Sequence, residues 1–214
     1  MTIRLNGSTS GYVEIDASSV GGNTSIVFPS SSGTVAITNG NTWTGTQNFT
    51  GATFTGGGMD LITTQTVAAV STVSINNCFT SNYENYRINI YGKSTTNIAL
   101  FARLRSSGTD ASSGNYTYLE QYVNTVTNPT RSYVANQTYG VLGVFGANYS
   151  ISTVEISGPN VAQYTAWTSM AMRDDALVNT GIQHTLSTSY DGITIYPNTS
   201  TFTGTIRVYG YRNA

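Results

Sequence analysis

Charged side chains are scarce in this chain of 214 residues. Asp, Glu, Lys and Arg together make up only 9% of it, and Lys93 is the single lysine, whereas soluble domains usually carry about 25% charged residues. The formal net charge at pH 7 is −1. Because nucleic-acid binding needs a clustered basic face, this composition argues against nucleic acid as a partner.

Long apolar runs and cysteine pairs are missing as well. No stretch of about 18 apolar residues could span a membrane, and the residues after Met1 have neither the basic nor the apolar region of a secretory signal, so we expect no membrane insertion. The single cysteine, Cys78, excludes an intrachain disulfide and a cysteine metal cluster. We predict that it is a small buried or half-buried hydrophobe, and we expect no metal or cofactor.

Aromatic and β-branched residues are abundant instead. The chain has 15 Tyr, 7 Phe and 2 Trp, with many Val and Ile among Ser, Thr, Asn and Gly. Disordered chains are poor in aromatic and β-branched residues, and this mixture is typical of half-buried strands joined by turns. The composition therefore predicts an all-β protein.

The first 58 residues are predicted to be an N-terminal segment of short strands followed by a spacer. Val13 and Ile15 alternate with polar residues, as in a strand. Residues 41–56 place Trp43, Phe49 and Phe54 among Thr, Gly, Asn, Gln and Ala. So few apolar groups cannot offset the entropy of ordering one chain. We therefore expect these three aromatics to pack between copies in a symmetric oligomer.

Residues 59–214 are predicted to form a separate C-terminal domain, with residues 56–58 as a flexible glycine joint. Strand candidates recur every 8–15 residues or so, a spacing typical of sandwiches and barrels. About nine or ten strands suffice for a two-sheet β-sandwich, and a jelly roll is the most economical architecture. Residues 164–173 are the longest candidate, and residues 174–180 have room for one helical turn. The other candidates are Val73 with Ile75 and residues 86–91, 98–105, 116–123, 141–145, 151–156, 182–186, 193–196 and 205–211.

No catalytic set stands out, and we predict that the protein is not an enzyme. His184 is the only histidine, no Ser lies in a G-x-S-x-G elbow, and we predict a strand residue with a hydrogen-bonded ring. Asp174 and Asp175 are adjacent, whereas glycosidases need carboxylates that face each other across a bond. We interpret the pair as a solvated turn or helix start, with a calcium-binding loop as the weaker alternative.

Three groups of segments resemble parts of bacteriophage tail fibre and knob proteins. The opening IRLNGSTSGYVEIDASSVGGNTSIVFPSSSGTVAI resembles a segment common in such virion proteins. NTWTGTQNFTGATFTG is similar to a spacer that recurs in trimeric fibres. YENYRINIYG, LFARLRSSGTD, SYDGITIYPNTS and TGTIRVYGYR resemble the terminal β-sandwich of fibre and knob proteins, including those of marine cyanobacterial phages.

This resemblance implies a virion component that assembles as a homotrimer, with other tail or capsid proteins as partners. The leading hypothesis is a tail fibre or knob protein whose C-terminal sandwich attaches to the host surface. The alternative is a capsid decoration or tail-assembly protein without a receptor, because the chain begins at the first β-segment with no long anchor or shaft before it. A polysaccharide depolymerase is the least favoured, because the chain shows no long β-helical repeat.

Tyrosines are the main candidates for recognition, because each offers a flat apolar ring with one polar tip. Two interpretations are open: the rings lie on a sheet surface or trimer contact, or they grip a host surface glycan or protein. The polar segments 106–115 and 124–136 are predicted as exposed loops, where recognition usually resides. The candidate receptor-binding residues are Tyr116, Tyr118, Tyr122, Tyr133 and Tyr139.

Overall fold

The computed structural model describes residues Ile3–Asn6, Tyr12–Ile15 and 58–212, and the chain divides into two compact units, Met1–Thr53 and Phe54–Ala214. In the first unit, β1 (Ile3–Asn6) and β2 (Tyr12–Ile15) pair antiparallel, with Ile3 opposite Ile15. The strand predicted around Val13 and Ile15 is therefore present. Trp43, Phe49 and Phe54, for which packing in an oligomer was predicted, lie outside the described residues, as do most residues of the predicted glycine joint.

The second unit is all-β, as predicted, and residues 58–212 contain no helix. Its strands are β3 (Met59–Val70), β4 (Val73–Ile75), β5 (Asn85–Lys93), β6 (Ile98–Ser106), β7 (Thr109–Asp110), β8 (Tyr116–Asn124), β9 (Thr130–Gln137), β10 (Gly140–Phe145), β11 (Ser150–Ser157), β12 (Thr165–Arg173), β13 (Ala176–His184), β14 (Gly192–Pro197) and β15 (Phe202–Tyr211).

These strands form two antiparallel sheets. The large sheet has eight strands in the order β3-β15-β5-β11-β12-β13-β8-β9. The small sheet has the order β10-β6-β14-β4, and β7 pairs with β6 at one side. Together the two sheets make the β-sandwich that the strand spacing predicted.

The pairing of the first strands with the last ones is that of a jelly roll. β3 pairs with β15, β4 with β14, β5 with β11, and β6 with β10. Such nested pairs are those of one long hairpin whose successive strands lie alternately in the two sheets. Folding of this hairpin also places β15 beside β5 and β14 beside β6. The predicted jelly roll is therefore confirmed.

Two insertions widen one sheet of this jelly roll. The segment from β7 to β9 lies between β6 and β10, and the hairpin β12–β13 lies between β11 and β14. Strands β12, β13, β8 and β9 all add to the large sheet beside β11. The large sheet thus extends well beyond the four strands that a symmetric jelly roll contributes, and this extension carries the surface described below.

The core forms between the inner faces of the two sheets because apolar residues alternate with polar ones along each strand. In β5, Tyr86, Ile88 and Ile90 are buried, while Arg87 and Asn89 face outward. This alternation was predicted. Cys78 is buried and unpaired, which confirms its interpretation as a small core residue. Other fully buried large side chains are Phe79, Leu100, Leu104, Phe145, Ile156, Ile193 and Phe202.

Three local predictions were wrong. Residues 124–136 were predicted as a loop, but most of them belong to β9 (Thr130–Gln137), a strand at the edge of the large sheet whose residues show little alternation between buried and exposed. Residues 174–180 form a tight hairpin turn and the start of β13 rather than a helical turn. The longest of the described strands is β3 (Met59–Val70), in which three Thr and one Gln over residues 63–66 hide the period-two pattern.

Candidate functional site

A cavity of about 1010 Å³ lies on the outer face of the large sheet. Five adjacent strands, from β11 through β12, β13 and β8 to the edge strand β9, contribute to its wall. A second cavity of about 440 Å³ adjoins it and shares several residues with it. A sheet can enclose such a space on one face only where that face is concave. We call the two cavities together the outer groove.

Strand register explains which side chains meet in the outer groove. Glu155 on β11 pairs with Thr168 on β12, and Thr168 pairs with Gly181 on β13. Gly181 pairs in turn with Leu119 on β8, and Leu119 pairs with Tyr133 on β9. These five residues form one cross-strand row. Neighbours that are directly opposite in a sheet lie on the same face, so the row runs across the groove from wall to wall.

Gly181 lies in the middle of this row. A Cβ atom built at this position meets no atom within 4 Å, although the residue belongs to the interior of a strand flanked on both sides. A glycine inside a strand weakens it and often marks a place where another molecule approaches the backbone closely. Gly181 therefore gives the groove an open floor of bare backbone.

The edge strand β9 is bent by a bulge. Tyr116 opposes Gln137 and Tyr118 opposes Val134, so two residues of β9 stand opposite one residue of β8. Asn136, inside the bulge, has φ of 57°, a left-handed conformation that Asn tolerates better than most residues. Bulges bend the strand that carries them and increase its twist, and this one lies at the edge of the outer groove.

One wall of the groove carries a neutralised carboxylate. Arg87 donates from Nε to Glu155 Oε1 at 2.6 Å, and Tyr211 donates from its hydroxyl to Glu155 Oε2 at 2.8 Å. The bond to Glu155 raises the pKa of the Arg87 guanidinium, and burial together with Glu155 raises the pKa of Tyr211. Both oxygens of Glu155 thus have protein partners, and its charge is compensated.

The opposite wall carries a cation and an aromatic ring. Arg131 and Tyr133 are two residues apart on β9, so their side chains leave the same face of the strand. Tyr133 is 67% exposed, and among the described residues Arg131 forms no ion pair. Gln121 lies opposite Arg131, and Asn179 lies opposite Gln121. The groove therefore combines a ring, a cation and two amides.

The five tyrosines predicted for recognition do not form one surface. Tyr133 is exposed in the outer groove, whereas Tyr118 borders only the smaller cavity of the groove, is half-buried and packs against the core. The Tyr122 hydroxyl accepts a hydrogen bond from Arg173 at 3.2 Å. Tyr139 stacks on Phe101 of the small sheet, with the ring centroids 4.0 Å apart.

Tyr116 is a core residue, which corrects its assignment to an exposed recognition surface. Its exposed fraction is 0%. Its hydroxyl accepts a hydrogen bond from the Leu104 backbone at 2.9 Å and donates one to the Ala111 carbonyl at 3.0 Å. Burial raises the pKa of this hydroxyl. Tyr116 fits the interior because both bonding positions of its polar tip are used.

His184 lies in β13, as predicted, and is fully buried. Its Nδ1 is 3.2 Å from the Tyr190 hydroxyl, while Nε2 has no hydrogen-bond partner among the described residues. Only one of the two ring nitrogens therefore has the hydrogen-bond partner that was predicted. Burial lowers the pKa of His184 to about 4. Asp174 and Asp175 occupy the β12–β13 turn, where Arg173 donates to Asp175 Oδ1 at 2.8 Å. This agrees with the solvated-turn interpretation.

Within the described ranges, no group of three or more His, Cys, Asp and Glu side chains is arranged to hold a metal ion. The same residues include no helix of the length and apolarity needed to cross a membrane.

Sequence reasoning found two residues that line the outer groove, Tyr133 and Tyr118. It missed Arg131 because β9 was predicted as a loop, and it missed Leu119 and Glu155 because the strand order was not readable. The only signal for Gly181 was its place directly before the predicted strand of residues 182–186, where a glycine is typical of a boundary. Its position gave no indication that it lies inside a longer strand with its Cα on the outward face.

Comparisons with known proteins gave no match among family models, curated proteins or solved structures. The functional conclusion therefore depends on the chemistry of the outer groove together with the sequence resemblance described above.

Proposed function

We propose that this chain is a structural protein of a bacteriophage virion, a homotrimeric tail fibre or knob that attaches the particle to the host surface. In this proposal the jelly roll is the attachment domain and the outer groove is its binding site. The partners are other virion proteins at one end and a glycan or protein of the host surface at the other. The observation that supports it most is the concave groove on the outer face of the large sheet.

The chemistry of the groove suits recognition of a hydroxyl-rich molecule. Tyr133 offers an exposed ring, and Leu119 and Met170 are 61% and 56% exposed, so apolar surface is available for the C–H faces of a ligand. Amides from Gln121 and Asn179 can both donate and accept hydrogen bonds. Binding sites commonly combine apolar walls with a few placed polar groups. Jelly rolls also occur in viral capsid and lectin domains, an argument by analogy of fold alone.

The same geometry favours binding without catalysis. Both oxygens of Glu155 already accept hydrogen bonds from Arg87 and Tyr211, whereas a general acid or base needs to be within hydrogen-bond reach of its substrate. Glu120 also borders the groove, but it alternates along β8 with the exposed residues Leu119 and Gln121, so its side chain leaves the other face. Among the described residues that line this space, no pair of free carboxylates faces across it, as glycoside hydrolysis requires.

A second exposed surface of the jelly roll suits contact with another copy of the chain. Tyr91 pairs with Ile151 and Ile151 pairs with Met172, and each of these side chains is about half exposed. Tyr149 stacks on Tyr91 with the ring centroids 4.6 Å apart. This apolar row beside the groove supports the proposed homotrimer, because subunit contacts bury such surfaces.

The proposal is tested by competition for adsorption. Purified full-length chain is added to host cells before the phage that encodes it, and the free phage remaining after a fixed time is counted. We expect the wild-type chain to reduce adsorption in a dose-dependent manner and Gly181→Trp, which fills the groove floor, to have little effect. Equal blocking by both proteins would exclude the groove as the attachment site.

Labelling of intact particles separates attachment from capsid decoration. Antibodies against the chain, viewed by electron microscopy, should mark the ends of tail fibres. Label spread over the capsid lattice would instead support the decoration hypothesis and overturn the attachment role.

A further inference from the structure

The outer groove has an uneven distribution of charge. On the β11 wall, Glu155 is neutralised by Arg87, with Glu155 Oε1 and Arg87 Nε 2.6 Å apart. On the β9 wall, Arg131 lines the cavity and forms no ion pair with any carboxylate of the described residues. Glu120 also borders the cavity without an ion pair, but its side chain leaves β8 on the face opposite to Leu119 and Gln121. Among the described residues, the unpaired charge on the face of the sheet that forms the groove is therefore the positive charge of Arg131. A ligand that complements it carries a negative group near β9.

The surroundings of Arg131 restrict the shape of that ligand. Tyr133 leaves the same face of β9 two residues away and is 67% exposed, and Leu119 lies directly opposite Tyr133. A ring-shaped ligand can lie against these two side chains while an attached anionic group reaches the guanidinium. A planar guanidinium binds a carboxylate through two parallel hydrogen bonds, so a carboxylate on a ring matches the site.

The remaining polar groups of the groove match hydroxyls rather than further charges. Gln121 and Asn179 are adjacent by register, and Thr153 and Thr168 line the same cavity. Amide and hydroxyl groups pair with both the donors and the acceptors of a polyol. The open floor at Gly181, where no atom lies within 4 Å of an added Cβ, leaves room for a ring above the backbone.

We propose that the outer groove binds a sugar unit that carries a carboxylate, with its carboxylate on Arg131 and its ring against Tyr133 and Leu119. This inference rests on the proposed attachment function and names the class of ligand. A uronic acid and a nonulosonic acid such as sialic acid share this chemistry, and the experiment below distinguishes them.

Binding is measured by calorimetry or by ligand-detected NMR on the full chain with paired probes. Tetragalacturonate is compared with its methyl ester, and sialyllactose is compared with the methyl ester of its own carboxyl group, so each pair differs mainly in the charged carboxylate. We expect one acidic probe to bind about tenfold or more tightly than its neutral partner, as a charge-assisted pair contributes. The acidic probe that shows this preference identifies the source of the carboxylate.

Two arginine variants test the role of the cation. Arg131→Gln should bind the acidic and neutral probes alike, whereas Arg131→Lys should keep part of the preference. Arg207→Gln is the matched control: Arg207 is exposed on β15 of the same large sheet and does not line the cavity, and its substitution removes the same charge. We expect Arg207→Gln to keep the wild-type preference, and an equal loss in both glutamine variants would overturn the assignment to Arg131.

Each further outcome separates this inference from the proposed function. If the wild-type chain binds acidic and neutral probes equally and Gly181→Trp abolishes both, the preference for a carboxylate is overturned while saccharide binding at the groove stands. If no saccharide binds but the chain still blocks phage adsorption, the sugar ligand is overturned and the attachment function stands. If adsorption is not blocked and acidic probes still bind at Arg131, the ligand class stands and the attachment function fails.

Discussion

Gly181 on β13 is paired directly with Leu119 on β8, so a residue without a side chain lies beside one that is 61% exposed. This pairing creates the step in the sheet surface that deepens the outer groove. It also separates the groove from the core, because the neighbours of Gly181 along β13, Thr180 and Ile182, point inward and are buried. Substitutions at Gly181 can therefore change the groove without disturbing the fold.

Gly181→Val should leave the free energy of unfolding unchanged or raise it by about 0.5–1 kcal/mol. The added side chain meets open space, and a glycine in a strand interior is destabilising by roughly this amount. Urea denaturation followed by tryptophan fluorescence measures the difference.

Gly140→Ala is the contrasting variant. Its new Cβ would lie 2.4 Å from Cζ2 of the Trp167 ring and 2.9 Å from the Ile182 Cγ2. We expect a loss of about 1–3 kcal/mol from overpacking. A comparable loss for Gly181→Val would contradict the open floor of the groove.

Tyr116→Phe should lower the free energy of unfolding by about 1–3 kcal/mol. The substitution leaves the buried Leu104 amide without its acceptor, and an unsatisfied buried donor costs about this much. Tyr133→Phe removes the same hydroxyl from an exposed ring and should change stability by no more than about 0.5 kcal/mol. Thermal or urea unfolding of both variants checks the contrast, and equal effects would place both tyrosines in similar environments.

His184 should make the protein sensitive to acid. Burial lowers its folded-state pKa to about 4 from the usual 6.5. Between these values only the unfolded chain takes up a proton, so the free energy of unfolding falls as the pH falls. The contribution of His184 to the free energy of unfolding is fully present above about pH 6.5, and about 3 kcal/mol of it is lost by pH 4.

The pH series is measured by urea denaturation of the wild type and of His184→Phe. The phenylalanine variant lacks the titrating ring and should show a flatter dependence between pH 4 and 6.5, whatever its absolute stability. Because His184 is the only histidine, its NMR titration identifies the group directly. If the free energy of unfolding falls equally with pH in the two proteins, groups other than His184 cause the acid sensitivity.

Trp43→Ala combined with Phe49→Ala should weaken subunit association while the jelly roll stays folded. The prediction follows from the sequence, because these aromatics have few apolar neighbours along the chain and require partners from other copies. Truncating a large buried aromatic typically costs about 3–5 kcal/mol, and the threefold symmetry of the proposed trimer would repeat that loss in each subunit. Light scattering should report a trimer for the wild type and smaller species for the variant.

Circular dichroism of the same variant provides the control for the jelly roll. Its β-sheet signal should match that of the wild type. If the variant and the wild type have the same mass at micromolar concentration, the two aromatics do not hold subunits together.

The sequence by itself determined the fold class and most strand positions of the second unit. Alternation such as that of Tyr86, Ile88 and Ile90 with polar neighbours is a local property, and each strand must bury one face whatever its partners are. The number and spacing of strands also predicted a jelly roll, but they did not predict the order in which its strands pair. Strands with weak alternation, such as β9 and β3, were not predicted. The edge strand β9 and the Thr-rich strand β3 lack the strongly apolar face on which the prediction depends.

Only the tertiary structure decided which residues form the outer groove. Glu155, Gly181 and Tyr133 are far apart in sequence, and they meet because the insertions β8–β9 and β12–β13 extend one sheet in a particular order. Period-two alternation gives two faces for each strand but does not tell which face meets the core when both carry tyrosines, so Tyr116 and Tyr133 looked equivalent. The register between distant strands, set by packing across the whole sandwich, buried one ring and exposed the other.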